Sequence, residues 1–237
     1  MGKEKTTTIR AYITRKVQYS ESDLILTLLS LEEGRIDAIA RGARKSRKRF
    51  EAGLSYYVLY EGVVAPPRSG SLWALREMAV SRSYPSLLDN YQKISTAAAG
   101  TELIRELSPP HQEDEPLFSL LTLFYEALDD QQNFSHLLPW LQYNALAGSG
   151  YIHHLHECGN CHKAGSPGGW AINIRDGSIR CENCAPGGAQ LAPWESISWL
   201  FSQPPHPPSH GSIQQLATML NRLTTNVLGK PLRSSSF

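Results

Sequence analysis

The chain has 237 residues, and its 23 Lys and Arg side chains face 22 Asp and Glu, for a formal net charge of +1. Hydrophobic residues make up 41% and charged residues 19% of the chain. This composition is typical of globular proteins and excludes a collagen, a coiled-coil rod and a disordered polyampholyte. The length allows one large domain or two to three small ones.

Residues 1–83 have the pattern of β structure. Alternation with a period of two predicts strands at Thr8–Val17 and around Ile36–Ala40, and apolar or β-branched runs predict Leu24–Leu31, Tyr56–Val64 and Leu72–Val80. Five strands in so short a segment avoid exposed edges by closing into a small barrel. The strand count favours an OB-fold, and an SH3-like barrel is the alternative that strand pattern alone does not separate.

Residues 84–237 have mainly helical patterns, with apolar side chains at spacings of three and four. We predict helices between Leu87 and Leu107, from Pro116 to Leu128, from Phe134 to Ala147, from Trp194 to Phe201, and from about Ser212 to Leu228. The predicted fold is therefore an α+β multidomain protein. A barrel domain spans residues 1–83 and a helical domain spans 84–237, with an insert at about 153–190.

The insert contains all four cysteines, in two pairs: Cys158 with Cys161, and Cys181 with Cys184. Two C-x-x-C turns provide the four thiolates that a tetrahedral zinc ion needs. Asp176-Gly177 between the pairs predicts a hairpin, so the layout is that of a zinc ribbon. We expect one structural Zn²⁺, because four sulfur ligands leave no open position for catalysis. A redox C-x-x-C is the alternative, but it does not explain two pairs.

A cationic stretch, RGARKSRKR, follows the third predicted strand at residues 41–49. Its six Lys and Arg side chains on a predicted OB-fold favour contacts with nucleic-acid phosphates over a merely solvated loop. The charge is also unevenly distributed: residues 1–83 hold 15 basic and 9 acidic side chains, 84–150 hold 2 and 9, and 151–237 hold 6 and 4. The near-neutral total therefore does not exclude a nucleic-acid partner.

Aromatic residues on the predicted strands are candidates for stacking on bases. For any one of them we expect a core position instead; they are Tyr12, Tyr56, Tyr57, Tyr60 and Trp73. We find no phosphate-binding loop, dinucleotide fingerprint, nucleophile elbow or zinc-protease motif, so we expect a protein that is not an enzyme. An apolar leader and a membrane-spanning run are absent from the sequence, so we expect a cytoplasmic location.

The order of barrel, helical domain, cysteine pairs and final helix resembles the RecO family of bacterial recombination mediators. The most specific local matches are IDAIARGARKSRKRF (36–50) and the closing GKPLRSSSF (229–237). The cysteine pairs match the zinc-bearing branch of that family.

The resemblance implies a protein of DNA repair and recombination that is associated with the nucleoid. Such proteins bind single- and double-stranded DNA, anneal complementary strands, and with RecR help load RecA onto DNA coated by single-strand-binding protein. Carried onto this chain, the DNA-binding role falls on Arg35, Arg41, Arg44, Lys45, Arg47, Lys48 and Arg49.

In some members the helical domain binds the acidic tail of single-strand-binding protein. Here that contact would require a local basic pocket around Arg105, or around Arg222 and Arg233. From the residues alone, an RNA-binding or translation-associated barrel with a zinc ribbon is the alternative function.

Overall fold

Five strands come first in the computed structural model, which describes residues 5–46, 48–50, 53–153, 156–165, 167–201 and 213–233. Two residues on which predictions fall, Arg47 and Ser212, lie outside the described residues. The first five strands are β1 (Thr7–Gln18), β2 (Leu24–Ser30), β3 (Gly34–Ala40), β4 (Val58–Ala65) and β5 (Trp73–Ser83). Within the described ranges, no helix combines the length and the apolar character that crossing a membrane requires.

The five strands close into a barrel in the order β1-β2-β3-β5-β4. The strand β1 pairs antiparallel with both β2 and β4, which seals the barrel. The strands β3 and β5 run parallel, with Ala38 opposite Trp73 and Ala40 opposite Leu75. This Greek-key order confirms the predicted OB-fold and removes the SH3-like alternative.

Alternate residues of each strand fill the barrel interior, as a period of two requires. The interior is tightly closed: Ile9, Leu26, Leu28 and Tyr60 are each 0% exposed. Burying side chains of this size contributes roughly 1.5–3 kcal/mol apiece. The barrel therefore has its own hydrophobic core and forms a stable support for its loops.

The segment Ser108–Ser119 belongs to the same compact unit as Met1–Leu88, and together they form the barrel unit. Its Phe118 ring lies 5.4 Å from the Tyr12 ring, and the His111 amide donates to the Arg35 carbonyl at 3.0 Å. At the start of β3, Gly34 has a φ of +63°, and a Cβ there would overlap the Gln112 backbone carbonyl. Only glycine permits both this conformation and so close an approach.

The second compact unit, the helical unit, comprises Asp89–Leu107 with Leu120–Phe237. Among the described residues the α-helices are α1 (Tyr91–Leu107), α2 (Glu115–Asp130), α3 (Leu137–Gly148), α4 (Trp194–Trp199) and α5 (Ile213–Leu228). Asn90 begins α1 by accepting a hydrogen bond from the Gln92 amide at 2.7 Å. In the helical unit, α3 contacts both α1 and α5 and so lies at its centre.

Three short strands form a small sheet between α3 and α5 in the chain: β6 (Gly169–Ile172), β7 (Ile179–Cys181) and β8 (Ala192–Pro193). Trp170 and Ile179 from this sheet share one hydrophobic cluster with Tyr143 of α3 and Leu220 of α5. The cysteine-bearing insert is thus packed into the core of the helical unit. An OB-fold barrel followed by a helical domain with this insert confirms the predicted fold class.

Candidate nucleic-acid interface and metal centre

The cationic loop, residues 41–50, is fixed to the barrel by two buried side chains. Ala43 and Phe50 both belong to the barrel core, and Phe50 is 1% exposed. At the end of the loop, the Met78 amide of β5 donates to the Arg49 carbonyl at 2.8 Å. These anchors leave a short segment between them, in which the side chains of Arg44, Lys45, Lys48 and Arg49 are exposed.

Hydrogen bonds inside the loop define its shape. The amides of Lys45 and Ser46 both donate to the Gly42 carbonyl, at 3.1 and 3.0 Å. The Arg49 guanidinium donates to the Arg41 carbonyl at 2.9 Å and lies 5.0 Å from the Phe50 ring centroid. Arg49 therefore closes the loop across its base in addition to contributing positive charge.

The cationic loop is also bonded to the β1–β2 turn, residues 19–23. The Arg44 amide donates to the Ser22 carbonyl at 3.1 Å, and the Arg44 guanidinium donates to the Glu21 carbonyl at 3.1 Å. The Gly42 amide donates to the Asp23 carboxylate at 2.8 Å. This hydrogen bond from Gly42 holds the pKa of Asp23 below its usual range, so the carboxylate is charged at neutral pH.

Five of the predicted DNA-binding side chains lie together on this loop and are exposed: Arg41, Arg44, Lys45, Lys48 and Arg49. Arg47 lies outside the described residues. Arg35 is half-buried at the opposite end of β3, where it forms a bridge with Pro110. At about 3.3 Å per residue, the length of β3 places Arg35 roughly 20 Å from Arg41.

The predicted aromatic residues are mostly buried or partly buried. Tyr60 lies in the barrel core, whereas Tyr12 is equally buried but lies outside that core, against Phe118. Tyr56 and Trp73 pack against the core and are partly buried. Sequence reasoning missed a different aromatic residue, Tyr19, which is 65% exposed in the β1–β2 turn. The sequence did offer one indication that Tyr19 is exposed, because it is the lone aromatic residue within the polar segment QYSESD (18–23).

The four cysteines come together in the helical unit, and their sulfur atoms all lie within 4.8 Å of one another. The sulfur atoms of Cys161 and Cys181 are 3.7 Å apart. Tetrahedral zinc with Zn–S bonds of about 2.3 Å needs sulfur separations of about 3.8 Å. The residues present therefore fit one ZnS₄ site, and among the described residues the cluster contains only cysteines.

Local backbone geometry prepares these thiols for a cation. Cys158 is buried, which by itself disfavours its thiolate, but the backbone amides of Cys161, Cys181 and Asn160 outweigh burial and lower its pKa to about 6. The Asn160 side chain also donates to the Cys184 sulfur at 3.4 Å. Donors directed at the sulfurs stabilise thiolates, the form that binds metal.

The hairpin between the two cysteine pairs turns at Asp176-Gly177, as predicted. The Asp176 carboxylate accepts hydrogen bonds from the Ser178 amide at 2.9 Å and from the Arg180 guanidinium at 2.9 Å. Gly177 has a φ of +69°, and a Cβ there would overlap the Tyr151 carbonyl. This tight turn places Cys181 at the end of β7, opposite Trp170.

The basic side chains of the helical unit differ in their surroundings. Arg105 donates to Glu106 at 3.1 Å, and Lys230 donates to the same carboxylate at 3.0 Å. Arg222 and Arg175 are exposed and line one surface groove with Ile172 and Met219. A basic groove with an apolar floor is thus present at Arg222, whereas Arg105 is ion-paired with Glu106, which it shares with Lys230.

Comparisons with known proteins cover both parts of the chain. The family model described as recombination protein O N terminal matches residues 3–84, and the model described as recombination protein O C terminal matches residues 88–236. The DNA repair protein RecO of Anaeromyxobacter sp. (strain K) is 33% identical over 181 residues, 76% of this chain and 71% of that protein. The DNA repair protein RecO of Geobacter metallireducens is 27% identical over 241 residues, 98% of this chain and 97% of that protein.

Proposed function

Since the chain belongs to the RecO family of DNA repair proteins, we propose that it acts as a recombination mediator. In this proposal it binds single- and double-stranded DNA, anneals complementary strands, and with RecR loads RecA onto DNA coated by single-strand-binding protein. It works by binding and not as an enzyme, in the cytoplasm at the nucleoid. The proposed DNA-binding domain is residues 1–83, and the proposed helical domain is 84–237.

The observation that carries the DNA-binding part is the cationic loop. It presents five described positive side chains to solvent from a segment that Ala43 and Phe50 fix to the barrel. Each Lys or Arg that meets a phosphate releases condensed counterions, and this provides affinity for any sequence. A fixed loop loses little conformational entropy on binding. Arg47 and the more distant Arg35 complete the proposed set of contacts.

One structural Zn²⁺ bound by Cys158, Cys161, Cys181 and Cys184 is part of the proposal. The support is the spacing of the sulfurs and the shared core of the insert with α3 and α5. Such a site contributes folding free energy. In this role the ion stabilises the helical domain and does not take part in binding DNA.

The acidic tail of single-strand-binding protein is a proposed ligand of the helical domain. The groove at Arg175 and Arg222 supports this, because two exposed guanidinium groups flank the apolar side chains of Ile172 and Met219. Arginine pairs well with carboxylates, and an apolar floor accepts a hydrophobic side chain of the same tail.

Removing two charges from the cationic loop tests the DNA-binding assignment. Lys45→Ala with Lys48→Ala is the sharpest variant, because Arg44 and Arg49 also donate hydrogen bonds that shape the loop. We expect weaker binding to single-stranded DNA and a salt slope, log K against log salt, that is shallower by about 1.4. Fluorescence anisotropy across a salt series measures both quantities.

The matched control removes two exposed arginines of the helical unit, Arg175→Ala with Arg222→Ala. We expect this variant to keep the wild-type salt slope. An unchanged slope in the loop variant, or the same loss in both variants, would contradict the assignment of the loop.

An annealing assay on DNA coated with single-strand-binding protein tests the mediator role itself. We expect the protein to accelerate annealing of complementary coated strands, and the loop variant to be slower. The RNA-binding alternative predicts the opposite pattern, in which RNA far outcompetes single-stranded DNA and no annealing occurs.

A further inference from the structure

The β1–β2 turn places an aromatic ring beside the cationic loop. Tyr19 is 65% exposed, and its amide donates to the Asp23 carbonyl at 3.0 Å, which closes the turn. A single exposed tyrosine is ordinary on a protein surface. The position of Tyr19 is informative, because the turn between the first two strands of an OB-fold borders the surface that binds oligonucleotides.

The turn that carries Tyr19 and the cationic loop form one connected unit. Asp23 accepts the Gly42 amide at 2.8 Å, Ser22 accepts the Arg44 amide at 3.1 Å, and Glu21 accepts the Arg44 guanidinium at 3.1 Å. These bonds join residues on both sides of the β2–β3 hairpin. The backbone that carries Tyr19 is therefore held at a fixed place relative to the backbone of the cationic loop.

We infer that Tyr19 is a base-stacking residue that recognises an unpaired base of single-stranded nucleic acid while the cationic loop holds the flanking phosphates. This inference rests on the proposed DNA-binding function and adds to it a preference for unpaired bases. Phosphate contacts carry no information about the bases, paired or unpaired. A ring stacks on a base only where the base is free of its own neighbours, so Tyr19 adds affinity for single strands alone.

The chemistry of the site sets the ligand class. The Tyr19 ring offers a π-face that every base can use, so stacking there is tolerant of sequence. The hydroxyl group is not needed for stacking, and a phenylalanine at this position serves equally well. Tyr19 thus favours single strands over duplexes without favouring any base sequence.

Equilibrium binding of the full chain to three oligonucleotide probes tests this inference. The probes are a single strand, its duplex, and an abasic strand of the same length that carries no bases. Tyr19→Ala lowers affinity for the single strand about 5- to 150-fold, the range expected when one stacked base is lost. It leaves duplex affinity within about twofold, while Tyr19→Phe keeps wild-type affinity for every probe.

The abasic probe separates stacking from an indirect effect on the loop. Wild-type protein and Tyr19→Ala bind it with equal affinity, since no base is available for the ring. The control is Tyr91→Ala, because Tyr91 is 66% exposed on α1 and so matches Tyr19 in side chain and exposure. We expect that variant to bind all three probes as the wild type does.

Two outcomes overturn the inference. One is unchanged single-strand affinity in Tyr19→Ala; the other is an equal loss for single strand, duplex and abasic probe, which shows a change in the loop itself. Failure of the proposed function is a different result, in which the wild-type protein binds none of the three probes.

Discussion

Asp23 is the residue that links the two loops at one rim of the barrel. Its carboxylate accepts the Gly42 amide at 2.8 Å and the Ser22 hydroxyl at 3.0 Å. The hydrogen bond from Gly42 is the main reason why the pKa of Asp23 lies below its usual range. A surface acid within a strongly basic region thus serves to position the positive charges around it.

The lowered pKa of Asp23 predicts a pH-dependent contribution to stability. A carboxyl group with a depressed pKa in the folded state stabilises the protein above its unfolded pKa of about 3.9. That contribution is lost as the pH falls through the folded-state pKa. We therefore expect the wild type to exceed Asp23→Asn in stability at pH 7, and this difference to shrink below about pH 4.

Urea denaturation of both proteins across this pH range measures the difference. The cysteines are the same in both, so any loss of metal in acid cancels when they are compared. Glu61→Gln, at an exposed carboxylate of β4, is the control and should leave stability unchanged at every pH. A difference between wild type and Asp23→Asn that persists undiminished in acid would contradict the assigned role of this carboxylate.

At the scale of single elements, local sequence patterns predicted the strands and helices well. Period-two alternation predicted β1 and β3 because one face of each strand is buried. Asp176-Gly177 predicted the hairpin because glycine readily adopts the positive φ that the turn needs. The position of Ser108–Ser119 could not be predicted, since its contacts with β1 and β3 are distant in sequence. The exposed state of Tyr19 could not be predicted for a similar reason, because exposure depends on the whole barrel.

The cysteine-bearing sheet is the element whose stability we expect to depend on metal. Cys158 and Cys181 are buried in the same cluster as Trp170 and Leu220, so their geometry is coupled to the packing of α5. We expect Cys161→Ser and Cys184→Ser to reduce zinc content and to lower stability by at least about 3 kcal/mol, a part of the roughly 10 kcal/mol that structural zinc contributes. Mass spectrometry of the metal and thermal denaturation measure the two effects on the same sample.

His162→Ala is the matched control for the metal site. His162 lies next to Cys161 in the chain, but it is exposed and hydrogen-bonded to Glu157 at 3.0 Å. We expect this variant to retain zinc. A metal-free wild-type protein that is as stable as the zinc-loaded form would refute the structural role.

At the scale of the whole molecule, the net charges of the two compact units differ from those of the sequence segments 1–83, 84–150 and 151–237. The barrel unit takes in Ser108–Ser119 and with it three acidic residues, Glu113, Asp114 and Glu115. It holds 15 basic and 12 acidic side chains, a net +3, and the helical unit holds 8 and 10, a net −2. The DNA-binding proposal therefore depends on the local concentration of charge in the cationic loop and not on a uniformly basic barrel.

The segment Ser108–Ser119 also predicts how a change far from β1 in the sequence affects the barrel. Phe118 is 6% exposed and packs against Tyr12. We expect Phe118→Ala to destabilise the barrel by about 3–5 kcal/mol, the range for removing a buried phenyl ring. Hydrogen exchange at the β1 amides, together with urea denaturation, measures the loss.

Leu123 lies on the same helix, α2, and is 39% exposed, so Leu123→Ala serves as the control. We expect it to change stability by no more than about 0.5–1 kcal/mol and to leave exchange at β1 as it is in the wild type. If Phe118→Ala also left β1 protected, the segment would not stabilise the barrel as proposed.

The place of Ser108–Ser119 in the barrel unit has a consequence for synthesis on the ribosome. A polypeptide emerges from its N-terminus, and domains commonly fold in that order. All five strands have been made once residue 83 has emerged, yet Phe118 and the backbone partner of Arg35 follow only after the whole of α1. Until then Tyr12 lacks the Phe118 ring that packs against it, so we expect a nascent chain, or a product truncated near residue 100, to expose apolar surface there that chaperones or proteases can recognise.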